Sequence, residues 1–278
     1  MSDAIDALFA AVWANPEDDA TRLVLADALL AIGDPRGELI HLQFSDRHDE
    51  GAARRLLQRH GMTWLGALRG NVIPLAYEKG FLASCMVTDA EGAAGCGEWG
   101  TVHTVQLQDV AHLPLLEGMA ILRAVIHAEP EIVAKLVKLP VAWRLEALGA
   151  TESQPLAVAH TALECLPRLR IAEAPAFRLS RAADGRLSHL AARWSRDLGL
   201  LFEMMPPPSI ATATIIDVPQ SQRDDLQARL THFTDLAANI VPMTPQDDRW
   251  WEQTHVRDEH LERLERERAA RERSDGDG

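Results

Sequence analysis

The side chains whose type and spacing suit chemistry fall in a few places in this chain of 278 residues. His255, Glu259 and His260 form a His-x-x-x-Glu-His pattern on a predicted helix. It matches neither the two histidines of one zinc-protease signature nor the inverted His-x-x-Glu-His of the other, and a charge-rich surface helix generates such pairs by chance. Gly92, Gly95, Gly97 and Gly100 lie in "EGAAGCGEWG", which suggests a phosphate cradle. The stretch lacks the Lys-Ser/Thr of a P-loop and a strand-loop-helix setting, so it reads as a flexible loop. Cys85, Cys96 and Cys165 include no Cys-x-x-Cys, and Cys85 falls on a strand's core position. No Gly-x-Ser-x-Gly elbow occurs to anchor serine hydrolase chemistry. The expectation is no catalytic residue, no cofactor and no metal. An enzyme or accessory subunit would need a site around the loop 91–100 and His103.

Asp27 invites an acid–base role because it sits within the apolar face of a predicted helix. Buried acids are seldom left unpaired, so the expected role is a structural ion pair with Arg22 or Arg36.

The elements that position these residues change character along the chain. Ile5, Leu8, Phe9 and Val12 make the stripe of a first helix. Asn15-Pro16 is a start signal for a second, whose expected buried face is Leu23, Val24, Ala26 and Leu30 and whose stop is Gly33. Asp34-Pro35-Arg36-Gly37 makes a turn into a third helix containing Glu38, Leu39, Leu42 and Gln43, with a break near Gly51 before helix resumes. The first 78 residues therefore read as a small helical bundle.

From residue 80 an internal repeat appears. "FLASCMV", "TVHTVQL", "ILRAVIH", "VAWRLEA", "CLPRLRI", "RLSHLAA" and "SIATATI" can be superposed in an L-x-x-L-x-L frame at intervals of about 20 to 24 residues. The frame positions are Leu82, Cys85, Val87; Val102, Val105, Leu107; Leu122, Val125, His127; Ala142, Leu145, Ala147; Leu166, Leu169, Ile171; Leu187, Leu190, Ala192; and Ile210, Ala213, Ile215. The Asn that usually follows such a strand is absent, replaced by Ala90, Val110, Pro130, Ala150, Ala174, Ser195 and Val218. Between the strands, "HLPLLEGMA", "PEIVAKLVKLP" and "QSQRDDLQARLTHF" have helical periodicity. The predicted fold class is α/β: a leucine-rich-repeat-like solenoid of short parallel strands and outer helices, with an N-terminal helical cap and a C-terminal charged helix. An irregular α/β domain is the alternative. The expected domains are 1–78 (cap), 79–248 (degenerate solenoid) and 249–278 (charged helix and disordered tail), with Trp250 and Trp251 sealing the last repeat or receiving a partner helix.

In a solenoid the x positions leave the concave sheet face, because side chains alternate along a strand. On this frame they are His103, Thr104 and Gln106; Arg123 and Ile126; Trp143, Arg144 and Glu146; Arg168 and Arg170; Ser188 and His189. Thr104, Gln106, Arg123, Ile126, Trp143, Arg144, Glu146, Arg168, Arg170 and His189 form the expected protein-binding set. Trp and Arg tend to dominate binding energy, and the arginines concentrate positive charge on an acidic chain. The alternative places Trp143 in the core and pairs the arginines with Glu146 and neighbouring acids.

"ANPEDDATRLVLADALLAIGDPRGELIHLQ", "HGMTWLGAL" at 60–68 and "EKGFLASCMV" at 78–87 resemble bacterial proteins, abundant in myxobacteria and planctomycetes, that carry a repeat-companion domain ahead of leucine-rich-like repeats. In that family a tyrosine and a tryptophan usually flank Ala-Asp, where this chain has Leu25 and Ala28. The resemblance implies an N-terminal companion capping a solenoid, and no catalytic residues. A cap is needed because a first repeat otherwise exposes apolar surface and unpaired strand groups.

Composition agrees with a globular chain, with 47% hydrophobic and 25% charged residues. The net charge of -13 argues against nucleic acid or anionic membrane as the main partner. No window approaches the ~18 apolar residues of a membrane span, and the acidic start shows no signal region, so the expected location is the cytoplasm. The expected function is non-enzymatic: a scaffold, adaptor or regulatory subunit holding a protein or peptide that is acidic at the contact. A neutralising immunity protein or regulator of a toxin or enzyme is the alternative within that class.

Overall fold

The computed structural model describes residues 2–45, 49–92, 94–150, 162–163, 165–174, 177–181, 187–194, 212–230 and 237–244. The predicted tail 249–278, with Trp250, Trp251 and the His255–His260 cluster, lies outside them, as do Ile210 and the Ser188 side chain. The chain divides into two compact units, Met1–Pro175 and Ala176–Gly278.

The first unit begins with α1 (Ser2–Ala14), α2 (Asp19–Ala31), α3 (Pro35–Phe44) and α4 (Glu50–His60). Ile5, Leu8, Phe9 and Trp13 of α1 pack on a cluster of Val12, Leu25, Ala26, Leu29, Ile40 and Phe81. The start of α2 is Asp18, not Asn15. Its carboxylate accepts from Ala20 N at 3.0 Å, Thr21 N at 3.3 Å and Thr21 Oγ1 at 2.6 Å, satisfying orphan amides of the first turn. The buried face of α2 is Arg22, Leu25, Ala26 and Leu29. Val24 and Leu30, expected inside, are 55% and 46% exposed, because a buried arginine occupies the stripe and turns the helix away from its most apolar reading. The chain breaks between α3 and α4 before Gly51, where Asp49 caps α4 through Ala52 N at 2.9 Å.

Sheet structure starts earlier than expected. β1 (Val72–Glu78), inside the predicted helical region, pairs antiparallel with β2 (Phe81–Val87), the first predicted strand, as a hairpin. Its turn is Lys79-Gly80, with φ of 50° and 81°, and both left-handed residues match the twist of a two-residue hairpin. β3 (Thr104–Leu107), β4 (Ala124–Ala128), β5 (Ala147–Ala150) and β6 (Ile171–Ala174) follow, each parallel to the one before. The strands are joined on the core side by the 3-10 segments Gly97–Thr101, Val110–Gly118 and Pro140–Arg144 and by α5 (Pro130–Leu136).

The second unit contains β7 (Phe177–Arg181) antiparallel to β8 (Leu187–Arg193), then β9 (Thr212–Val218) and β10 (Ala237–Pro242) added in parallel. α6 (Arg223–Leu230) lies between β9 and β10 in the chain and buries Leu226 and Leu230.

The strand register corrects the repeat frame. Cys85, Val105, Val125, Leu148 and Ala172 are successive pairing partners, so the frame expected for the fourth and fifth segments is slipped by one L-x-x-L step. The equivalent leading positions are Leu82, Val102, Leu122, Leu145 and Leu169, all nearly or fully buried. The slip has a physical cause. Each strand from β3 to β6 is preceded by a turn of period three, seen in the bonds Val102 N to Trp99 O, Leu122 N to Met119 O, Leu145 N to Ala142 O and Leu169 N to Leu166 O. Trp99, Met119, Ala142 and Leu166 thus fill a further buried position, and the full pattern is Φ-x-x-Φ-x-x-Φ, where Φ is apolar. His127, expected in a core slot, has φ 51° and is exposed, whereas the next residue, Ala128, is fully buried and pairs with Ala150 across a register shift.

Candidate binding face

In β3 and β4 the burial alternates: Val105, Leu107 and Val125 enter the core, while Thr104, Gln106, Ala124 and Ile126 are half-buried on the opposite side. Register extends this open face across the unit. One row joins Ser84, Thr104, Ala124, Ala147 and Ile171. The next contains Ile73, Met86, Gln106 and Ile126, followed by Gly149 opposite Glu173. A Cβ on Gly149 would lie 3.4 Å from Ile126 Cα and 3.5 Å from Glu173 Cγ, which places it in the same row.

The expected set divides among different sites. Thr104, Gln106 and Ile126 lie on the open face. Arg123, Glu146 and Arg170 precede β4, β5 and β6 and form its border: His103 O accepts from Arg123 N, Arg123 O from Glu146 N, and Glu146 O from Arg170 N. Trp143 and Arg144 leave the sheet altogether in the 3-10 turn Pro140–Arg144, and Arg168 occupies the equivalent turn before β6. Trp143 is 63% exposed, so the alternative that placed it in the core does not hold. Arg144 donates to Ala120 O at 3.2 Å. His189 belongs to β8 in the second unit, where its Nδ1 lies 2.8 Å from Thr212 Oγ1.

The border carries two side-chain pairs. Arg123 Nη2 binds Glu17 Oε1, bringing the segment between α1 and α2 to the edge of the sheet. His103 lies between Glu78 Oε2, 3.2 Å from Nε2, and Thr104 Oγ1, 2.9 Å from Nδ1. Ile171, Ala147, Ala124, Met86, Ile73 and Glu173 are face residues missed by the sequence reading. The signal that could have found those on β5 and β6 is the second L-x-x-L step, Leu145-x-x-Leu148 and Leu169-x-x-Ala172.

Asp27 contacts neither expected arginine. Its side chain is 75% exposed and its Oδ1 lies 2.9 Å from His41 Nε2. The arginines serve the hairpin instead. Arg36 stacks 4.3 Å from the Phe81 ring centroid and 4.9 Å from that of Phe9, and its Nε donates to Gly80 O at 2.9 Å. Burial pulls its pKa down to about 10, which leaves the guanidinium charged at neutral pH. Arg22 stacks on the same Phe81 ring and donates to Pro16 O at 2.7 Å and Lys79 O at 3.2 Å. Lys79 Nζ binds Asp19 at 2.6 Å, and Gln43 donates to Tyr77 O and accepts from Gly80 N. The helical block and "EKGF" are therefore two halves of one docking arrangement.

The glycine-rich stretch is a packing seat for α1. A Cβ on Gly100 would come 2.1 Å from Trp13 O, and one on Gly97 would come 2.6 Å from the Trp13 ring. Trp99 is buried beside them, and Glu98 Oε1 accepts from Ala67 N at 3.0 Å. Among the described residues no group of three His, Cys, Asp or Glu converges as a metal site, and no helix is long and apolar enough to cross a membrane. Compared with protein-family models, curated proteins and solved structures, the chain matches none of them.

Proposed function

We propose that this chain is a non-enzymatic protein-interaction module, a scaffold, adaptor or regulatory subunit that holds a protein or peptide on the open face of the strands in its first unit. The observation that carries this reading is the in-register face of Thr104, Gln106, Ile126 and Ile171, with small residues between them and arginines along its border. Small side chains let a partner approach the sheet closely, and half-buried apolar ones give it area to cover. In this proposal the parallel strands and core-side turns are a leucine-rich-repeat-like solenoid, and α1–α4 are the companion that caps it, in keeping with the resemblance to repeat-companion proteins. The tight seating of Arg36, Arg22 and Gln43 on the β1–β2 hairpin supports that role.

The test is affinity capture from native lysate, read by mass spectrometry, with wild type beside Ile126→Glu and a distant surface variant, Lys135→Glu. Loss of one partner by Ile126→Glu alone, with circular dichroism unchanged, is the expected result; identical capture by all three rejects the face.

One geometry favours a second reading, an enzyme or accessory subunit. Glu78, His103 and Thr104 form an acid–imidazole–hydroxyl chain of the kind that activates a nucleophile. Labelling by a fluorophosphonate that disappears in Thr104→Val would support it, and no labelling would remove it.

A further inference from the structure

Arg123, Glu146 and Arg170 hang on successive strands at the border of the open face. Neighbouring strands are ~4.8 Å apart, so Arg123 and Arg170 stand on the order of 10 Å from each other, with a carboxylate between them. Arg123 already holds a carboxylate, that of Glu17, brought from a separate segment of the chain. Arg170 on the border and Arg168, in the turn two residues before it, are both exposed, and neither is ion-paired to a described residue. These cations gather on a chain of net charge -13, so the border attracts what the rest of the surface repels. An arginine fork offers a carboxylate two parallel N–H donors. Glu146 and Glu173 sit among the cations and disfavour a ligand charged at every unit. Ile126, three residues beyond Arg123 on β4, and Ile171, next to Arg170 on β6, favour one with apolar side chains in alternation.

We propose that the occupant of the open face is an extended acidic segment of a partner protein, whose carboxylates bind Arg168 and Arg170 and displace Glu17 from Arg123. The proposal rests on the binding reading above and adds the partner's chemistry. Glu17 is an internal competitor, so its removal tightens binding.

The probe is a fluorescein-labelled dodecapeptide of alternating Glu and Leu, titrated by anisotropy into the full chain at low salt. Saturable binding is expected, weakened at least tenfold by R168E/R170E and tightened about threefold by Glu17→Gln, the scale of one exposed ion pair. Circular dichroism establishes that the variants are folded. The proposal is overturned if binding is not saturable, if the double reversal leaves it unchanged, if Glu17→Gln fails to tighten it, or if an alternating Lys-Leu peptide or a single-stranded dodecathymidylate binds equally well. Capture separates the two levels. A partner lost by Ile126→Glu but retained by R168E/R170E sinks the acidic segment and keeps the face, whereas a partner retained by both sinks the face as well.

Discussion

Arg36 ties four parts of the first unit together, because one planar cation fills the space between Phe9 and Phe81 while its Nε satisfies the carbonyl of Gly80. Arg36→Met keeps much of the volume but leaves that carbonyl unpaired and removes two cation–π contacts. The expected cost is about 2–4 kcal/mol, read as a lower urea midpoint. Gly37 follows from the same packing. Its missing side chain lets α3 approach α2 so closely that a Cβ would lie 2.5 Å from Ala26 O, and Gly37→Ala is expected to lower the midpoint through forced separation of the helices. Cys85 gives a pH signature, since burial pushes its thiol up to about 12 while in the unfolded chain it ionises near the ordinary thiol value of 9.0. Folding keeps the proton that the unfolded state loses, so this contribution to stability is complete below pH ~9 and is lost as the pH rises from there towards ~12. Denaturation midpoints across that range should fall less steeply in Cys85→Ala.

At the scale of elements, the apolar spacing that feeds each strand was visible in the residues but its register was not. The motif L-x-x-L fits Ala142-Leu145 and Leu145-Leu148 equally well, since a 3-10 turn of period three feeds directly into a strand. Only the pairing of Val125 with Leu148 settles which step enters the sheet. Leu148→Ala should therefore cost about 2–5 kcal/mol as a core truncation, whereas Trp143→Ala should stay within about 0.5 kcal/mol of wild type, both measured by chemical denaturation. His127 belongs to the same lesson. Its positive φ and exposure mark a local bulge, so His127→Gly relieves strain and is expected to be neutral or stabilising by up to ~1 kcal/mol. The buried face of α2 differs from the expected one for another reason: a pattern of apolar residues cannot announce that an arginine will be buried by aromatic rings and carbonyls.

Over the first unit as a whole, β3 and β4 each have a parallel neighbour on both sides and a core-facing row that is almost fully buried. Their amides are expected to be the slowest to exchange in deuterium oxide, ahead of β1, whose outer edge carries Pro74. Faster exchange in β3 than in β1 would contradict the topology. Charge also acts at this scale. The net charge of -13 opposes a broad polyanion footprint, while the local arginines run against that balance, and the contrast is legible in composition and spacing.

The sequence by itself determined what operates over a few residues: the α1 stripe, the Asp34-Pro35 entry into α3, the Gly33 stop, the short strands at 81–87 and 104–107, and the buried Cys85. These follow from hydrogen bonds and periodicities that close locally. Tertiary structure alone decided that Arg22 and Arg36 clasp the Lys79-Gly80 turn, that Asp27 faces solvent, that Gly97 and Gly100 seat Trp13, and which residues share the open face. Each of those outcomes depends on a backbone carbonyl, ring or amide supplied from tens of residues away. A spacing rule cannot see such a partner, because the free energy that selects it exists only once the distant segments have met.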